Sequence, residues 1–192
     1  MGLQNIFPTS IYTHFVPQNI SDKMEEIIIP KIPSLSLTHE HNTNVSVYSS
    51  FFSDKPLVSP KEIKPFLNYV ESIAQIYGKE SNIFKAERIN YWIQDYKKGN
   101  GHSTHCHPQS TICGTYYIRA NENAGFLSFS NPNSSLILAT RPLSEPKNQS
   151  NQFYNIKPQK GLLVLFPFWL MHKIIPSQEE NVIRTSLSFN YY

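Results

Sequence analysis

The stretch YKKGNGHSTHCHPQSTICGTYYI, residues 96–118, carries three of the chain's seven histidines directly before a run of β-branched and aromatic residues. His105 and His107 occupy positions i and i+2, with Cys106 between them. Side chains two residues apart on an extended strand point to the same face, so both imidazoles can approach one point. A third imidazole from a distant strand would complete a site for Fe, Zn, Cu or Ni. The pair alone is equally compatible with a polar turn that carries surface histidines.

Length and composition favour one mainly β domain. A chain of 192 residues can bury a sizeable core, and it is short for two ordinary domains. Hydrophobic residues make up 40% and charged residues 16%, which argues against a disordered chain. The aromatic content of 13% and the 14 prolines favour strands and turns over a helical bundle. We therefore expect a single domain over residues 1–192.

The two parts of the chain differ in pattern. Residues 59–78 predict a helix that is capped at Ser59, with Glu62 completing a capping box, and that ends at Gly78. A shorter helix is expected around residues 21–32, so residues 1–84 are interpreted as a helical support. Residues 85–192 contain runs rich in β-branched and aromatic residues, which predict a barrel or a two-sheet jelly roll. These runs are 87–96, 110–120, 125–132, 134–142, 152–159, 161–176 and 182–192.

The charge and hydropathy of the sequence limit the kinds of partner that we expect. The net charge of +3 arises from 17 basic and 14 acidic residues that are scattered along the chain, so no tail for nucleic acid is evident. No apolar run approaches the roughly 18 residues of a membrane span, and the first residues lack a signal-peptide pattern. We expect a cytoplasmic protein without a membrane partner, with Cys106 and Cys113 as free thiols. The oligomeric state is left open, a homodimer included.

The order of motifs resembles the 2-oxoglutarate and Fe(II)-dependent oxygenases, in their prolyl-hydroxylase-like branch. Tyr96, Gly99, His105, His107 and the run TYYI follow the order of the family's Tyr-x-x-Gly, His-x-Asp and strand motifs. The run KPQKGLLVLFPFWLMH, residues 157–172, is similar to the family's Pro-x-x-Gly, apolar strand and distal histidine. An arginine follows that histidine by twelve residues. The resemblance covers about residues 86–192, and the opening FPTSIY is similar to an uncharacterised subgroup of these oxygenases.

This resemblance implies an α+β fold built on a double-stranded β-helix, of the jelly-roll or cupin-like kind, with helices packed outside. It implies Fe(II), 2-oxoglutarate and O2 as reactants at the site. The cosubstrate would be decarboxylated to succinate while a C–H bond of a small-molecule or peptide substrate is hydroxylated. The catalytic metal ligands implied are His105, His107 and His172. The residues implied for the cosubstrate are Arg184, Ser186, Tyr117 and Tyr96.

The departure from the family pattern is at position 107, where histidine stands in place of the usual carboxylate. The resemblance therefore predicts a three-histidine site. Asp95, the nearest other carboxylate, is expected to be a surface charge at a strand end, and His102 a solvated loop residue. Two alternatives stay open: a three-histidine cupin-like dioxygenase that does not use 2-oxoglutarate, and a catalytically silent jelly roll that binds metal as a staple.

Overall fold

The computed structural model describes residues 8–40, 45–84, 87–133 and 152–192. Within these ranges the chain forms two antiparallel sheets, with helices packed on the outer face of the larger one. The expected α+β fold, mainly β and of the double-stranded β-helix type, is confirmed. The strand expected at residues 134–142 lies outside the described residues.

The larger sheet has seven strands and contains most of the core. In spatial order they are β1 (Tyr12–Phe15), β9 (Leu162–Pro167), β6 (Ile112–Ala120), β11 (Arg184–Tyr191), β4 (Ile89–Tyr96), β3 (Ser46–Ser49) and β2 (Ser36–His39). Strands β1, β2 and β3 come from the part of the chain that the sequence pattern indicated as helical. They are only four residues long, too short for an alternation pattern to stand out in the sequence.

The smaller sheet brings the two distant histidine motifs together. Its spatial order is β5 (His102–His105), β10 (His172–Ile174), β7 (Leu127–Ser130) and β8 (Phe153–Ile156). In the register of β5 and β10, His105 is the direct partner of His172. The pairing of two short strands thus joins residues that are far apart in the chain.

The helices differ from the expected bounds at their ends. Helix α1 spans Gln18–Ile28 and continues as a 3-10 helix over Ile29–Ser34, while α2 spans Lys64–Ser81. The backbone N–H of Ser59 donates to the Glu62 carboxylate at 2.8 Å, but regular helix begins only at Lys64. The predicted end at Gly78 is wrong, because Asn82 adopts the left-handed conformation that closes a helix (φ 54°). No helix in the described ranges is long and apolar enough to cross a membrane.

Alternation along β11 separates the core from the site. Leu187, Phe189 and Tyr191 belong to the apolar cluster that packs under α1 and α2. Arg184 and Ser186, on the opposite face of the same strand, line the space between the two sheets. Because successive side chains of a strand point to opposite faces, one strand supplies both the core and the polar wall of a cavity.

Candidate metal centre

Three histidines converge between the sheets. His105 ends β5, His107 follows it by two residues, and His172 begins β10. One ring nitrogen from each lies within 4.8 Å of the others. His172 is buried, whereas His105 and His107 are half-buried. The structure therefore brings together the three residues that the motif order singled out as ligands.

The backbone fixes which nitrogen two of these rings present. The Nδ1–H of His105 donates to the carbonyl of Ser103 at 2.7 Å, and that of His172 donates to the carbonyl of Leu170 at 2.8 Å. Each imidazole consequently directs a bare Nε2 away from its own strand, as is usual for histidines that bind metals. The Nε2 atoms of His107 and His172 lie 3.2 Å apart. Two nitrogens bound at about 2.1 Å and a right angle to one cation would lie roughly 3 Å apart, so the donor set fits a metal ion.

Burial keeps the imidazoles neutral. It lowers the pKa of His105 and of His107 to about 4, and the pKa of His172 to about 2. Neighbouring imidazoles lower these pKa values further, because protonated rings would repel one another. Neutral imidazole is the form that binds a metal ion.

A buried arginine lies in the cavity that leads inward from the histidines. This inner cavity measures about 50 Å³ and is lined by His172, Tyr96, Arg184 and Ser186, among others. Arg184 is only 2% exposed. Its Nη1 donates to the carbonyl of Gly125 at 3.0 Å, whereas its buried Nε has no hydrogen-bond partner in the described structure. Among the described residues no carboxylate pairs with this guanidinium, although buried charges are ordinarily paired.

The other residues suggested for the cosubstrate surround this guanidinium. The Nη2 of Arg184 lies 3.4 Å from the hydroxyl of Tyr117, and its guanidinium stands 4.7 Å from the ring centre of Tyr96. Ser186 pairs with Tyr117 in the β11–β6 register and is buried. Burial raises the pKa of both tyrosines, so each phenol remains a neutral hydrogen-bond donor.

A larger cavity of about 510 Å³ opens outward from the same histidines. Its apolar wall includes Phe51, Phe52 and Trp92. The Phe51 ring meets the Trp92 ring edge-on at 4.9 Å, and Trp92 stacks on His107 with 6.1 Å between ring centres. A continuous aromatic surface thus leads from the mouth of the outer cavity to a candidate ligand.

Glu40 and His102 contribute a polar part of that wall. The Glu40 carboxylate accepts a hydrogen bond from the backbone N–H of Ser103 at 2.9 Å, and Nδ1 of His102 lies 2.6 Å from one of its oxygens. His102 therefore belongs to β5, with its ring 4.1 Å from that of His105, and the expectation of a solvated loop residue is wrong. Sequence reasoning missed Glu40, Phe51 and the neighbouring Phe52, because no motif marks them. The adjacent pair of phenylalanines among polar residues was the one available signal.

Asp95 is not the surface charge that its position suggested. It is 1% exposed, it accepts a hydrogen bond from the Thr185 hydroxyl at 2.5 Å, and Lys97 lies 2.7 Å from its other oxygen. Arg119 lies 3.5 Å away. Pairing across the sheet buries this carboxylate on β4. It lies outside the cluster of candidate metal ligands.

The sequence model of the family described as "Putative 2OG-Fe(II) oxygenase" matches residues 90–190. That range contains the three histidines and Arg184. No curated protein matches the chain in a sequence search.

Solved structures with a similar fold include two prolyl hydroxylases. The prolyl-4-hydroxylase of Pseudomonas putida is 12% identical with a TM-score of 0.64, covering 95% of this chain and 90% of that one. The prolyl hydroxylase of Trichoplax adhaerens, in complex with a hypoxia inducible factor oxygen degradation domain peptide fragment, is 17% identical with a TM-score of 0.67 (96% and 83% covered). A 2OG-Fe(II) oxygenase family oxidoreductase from Burkholderia pseudomallei is 14% identical with a TM-score of 0.55 (93% and 83% covered). At these identities the likeness establishes the fold.

Proposed function

Because the chain belongs to the 2OG-Fe(II) oxygenase family, we propose that His105, His107 and His172 hold its Fe(II) and that Arg184 holds 2-oxoglutarate. The protein is a non-haem oxygenase that uses Fe(II), 2-oxoglutarate and O2. This membership favours the 2-oxoglutarate enzyme over the silent jelly roll and over the cupin-like dioxygenase.

The observation that carries the assignment is the buried guanidinium of Arg184. A cation without a buried anionic partner is costly, and a carboxylate that enters the inner cavity would remove that cost. The planar fork of arginine is suited to a carboxylate, which it can bind through two parallel hydrogen bonds. The unpartnered Nε supplies a donor that no described residue uses. The far carboxylate of 2-oxoglutarate meets these requirements.

The residues around Arg184 would orient the cosubstrate and exclude water. The Tyr117 hydroxyl, 3.4 Å from Nη2 of Arg184, can add a hydrogen bond to the same carboxylate. Tyr96, whose ring lies against the guanidinium, and Leu127 and Phe166, which line the inner cavity, keep this end dry. A charge-assisted hydrogen bond is stronger in such a setting than in water.

The histidines would supply a metal site with three neutral ligands. When iron, 2-oxoglutarate and O2 are bound, the iron supplies the oxidising chemistry and the protein supplies positioning. Because His107 replaces the carboxylate of the family pattern, the ligands leave the full charge of the cation uncompensated. An anionic cosubstrate is therefore favoured more strongly than at a site with one carboxylate. The Nδ1–H bonds of His105 and His172 hold those rings in the tautomer that binds.

The outer cavity is the proposed substrate site. It shares the candidate ligands His105 and His107 with the inner cavity and is open to larger molecules. A volume of about 510 Å³ suits a small molecule or one side chain of a peptide. The related structure from Trichoplax adhaerens holds a peptide, which supports the second of these classes.

The assignment is tested by cosubstrate affinity in Arg184 variants of the iron-loaded protein, measured anaerobically. Charge-assisted hydrogen bonds contribute about 1.5 to 3 kcal/mol, so Arg184→Ala should weaken 2-oxoglutarate binding by roughly one to two orders of magnitude. Arg184→Lys should recover part of the loss, since it keeps the charge but not the planar fork. Iron content should be unchanged in both variants.

Arg88, which is exposed, provides the matched control, and Arg88→Ala should bind 2-oxoglutarate like the wild type. If Arg184→Ala also binds like the wild type, the assignment of Arg184 is wrong. If the wild type itself holds iron but binds no 2-oxoglutarate, the three-histidine dioxygenase becomes the better interpretation.

A further inference from the structure

We propose that the outer cavity selects a substrate with a positively charged nitrogen, an ammonium or a guanidinium, which Glu40 and the exposed aromatic ring of Phe51 recognise. The inference rests on the proposed function, because it takes the outer cavity as the substrate site. It adds the chemical class of the substrate and the residues that determine it.

The charges of the lining favour a cation. Glu40 is the only carboxylate among the described residues that line the outer cavity, and those residues include no lysine or arginine. The chain as a whole has 17 basic and 14 acidic residues. The described lining, with one carboxylate and no lysine or arginine, therefore differs in charge from the average of the chain. A phosphate or carboxylate of a substrate would find no cationic side chain among these residues and would face the charge of Glu40. Since the two negative charges of bound 2-oxoglutarate would balance those of Fe(II), the remaining field of the lining disfavours anionic substrates and favours cationic ones.

The Glu40 carboxylate is held in position before any substrate enters. The N–H of Ser103 lies 2.9 Å from one carboxylate oxygen and 3.2 Å from the other, and Nδ1 of His102 lies 2.6 Å from the carboxylate. The side chain of Glu40 is 20% exposed, so it remains accessible from the cavity. A group that is already ordered loses little conformational entropy on binding, which strengthens its interaction with a ligand.

The aromatic side chains suit the same class of ligand. Phe51 and Phe52 are 48% and 77% exposed, although apolar side chains of this size are usually buried. Phe51 meets both Phe52 and Trp92 edge-on, each at 4.9 Å between ring centres. An ammonium or guanidinium over an exposed ring face such as that of Phe51 gains a cation–π interaction. Trp92, which is 8% exposed, packs behind Phe51 and lines the cavity. A carboxylate and exposed aromatic rings in one cavity together form a site for an organic cation.

The site lies close to the metal centre. Trp92 stacks on His107 at 6.1 Å between ring centres, and the His102 ring lies 4.1 Å from that of His105. Trp92, on the aromatic side of the proposed cation site, and His102, beside Glu40, thus each lie next to a candidate iron ligand. The carbon that is oxidised would lie a few bonds from the charged nitrogen.

The test compares a cationic probe with its neutral isostere. N-acetyl-arginine amide and N-acetyl-citrulline amide differ in charge but hardly in shape, and calorimetry gives the affinity of each for the protein loaded anaerobically with Fe(II) and 2-oxoglutarate. Because a charged hydrogen bond to Glu40 would be added for the arginine probe alone, we expect it to bind about tenfold more tightly or better. A second pair, with arginine or citrulline between two alanines of a capped tripeptide, shows whether flanking peptide residues add to the affinity for the charged side chain.

Glu40→Gln should reduce the ratio between the two affinities to about one, because the amide keeps the shape and loses the charge. Glu122→Gln, which alters an exposed carboxylate outside the cavity, should leave the ratio unchanged. Phe51→Leu should weaken binding of the arginine probe several-fold, because the aromatic face is lost. This variant provides a second test if Glu40→Gln proves too unstable to measure. Equal binding of both probes to the wild type would overturn the proposal, as would an unchanged ratio in folded Glu40→Gln.

Failure of the cofactor assignment gives a different result. Iron content and 2-oxoglutarate affinity are measured on the same samples, and the titrations are repeated on protein without either. If 2-oxoglutarate does not bind but the arginine probe still exceeds the citrulline probe, the proposed function fails while the cation site stands. If 2-oxoglutarate binds and the probes are not distinguished, only the cation site fails.

Discussion

The two cavities that meet at the histidines differ in exposure, charge and origin. The inner one is narrow and has a buried arginine, whereas the outer one is about ten times larger and has a carboxylate and exposed aromatic rings. Strands β4, β6 and β11 supply the inner end, while residues 38–40 and 47–52, before α2, supply much of the outer wall. Under the proposed assignments, one metal centre would serve two ligands of opposite charge, because each ligand has its own compartment.

Removing a histidine should have the largest effect, because both cavities depend on the metal. His172→Ala and His107→Ala should lose most of the bound Fe(II), since two ligands hold a metal far more weakly than three. His107→Asp should retain or improve binding, because a carboxylate restores an anionic ligand. Metal analysis of protein purified without chelator measures this, with His14→Ala, remote in the fold, as the control. Equal iron in wild type, His172→Ala and both His107 variants would show that these histidines are not ligands.

Substitution of Asp95 should lower the free energy of unfolding and leave ligand binding in both cavities unchanged. This buried carboxylate accepts from the Thr185 hydroxyl and pairs with Lys97, so Asp95→Ala leaves those partners unsatisfied. Loss of hydrogen bonds to a charged group costs about 1.5 to 3 kcal/mol in the free energy of unfolding. Chemical denaturation measures this cost, and Asp54→Ala on the exposed surface is the control. Loss of iron from folded Asp95→Ala would contradict a purely structural role.

Within the inner cavity, the hydroxyl of Tyr117 should contribute less than Arg184. Tyr117→Phe removes one neutral donor, worth about 0.5 to 1.5 kcal/mol, so 2-oxoglutarate affinity should fall about two- to tenfold. The neighbouring Tyr116 provides the matched control, because its hydroxyl donates to Ser21 on the helical face of the sheet. An effect of Tyr116→Phe equal to that of Tyr117→Phe would show that a general change in stability, and not the cavity, is responsible.

The smallest effect is expected on 2-oxoglutarate affinity, a property of the inner cavity, when a residue of the outer cavity is substituted. Glu40→Gln should leave 2-oxoglutarate affinity within about twofold of the wild type, because contacts that share no partner contribute independently. Titration of the iron-loaded variant with 2-oxoglutarate measures this. A tenfold change in that affinity would mean that the two compartments are coupled.

The sequence was informative where function depends on ordered motifs. His105, His107, His172 and Arg184 could be singled out because the order of motifs around them resembles that of the oxygenase family, and the strand pattern predicted a barrel or two sheets. Glu40 and Phe51 could not be found, since tertiary contacts alone bring residues 38–40 and 47–52 to the histidines. Burial of Asp95 likewise follows from pairing with β11 and from Lys97 and Arg119, which no local pattern reveals.

The central claim is that the histidines and Arg184 form one site for iron and 2-oxoglutarate. Anaerobic titration of metal-free protein with Fe(II) and then 2-oxoglutarate tests it, because a 2-oxoacid bound to ferrous iron has a weak visible charge-transfer band. We predict that the band appears in the wild type, requires roughly ten to a hundred times more 2-oxoglutarate in Arg184→Ala, and is absent in His172→Ala. Wild-type protein that holds iron and shows no band at saturating 2-oxoglutarate would contradict the account.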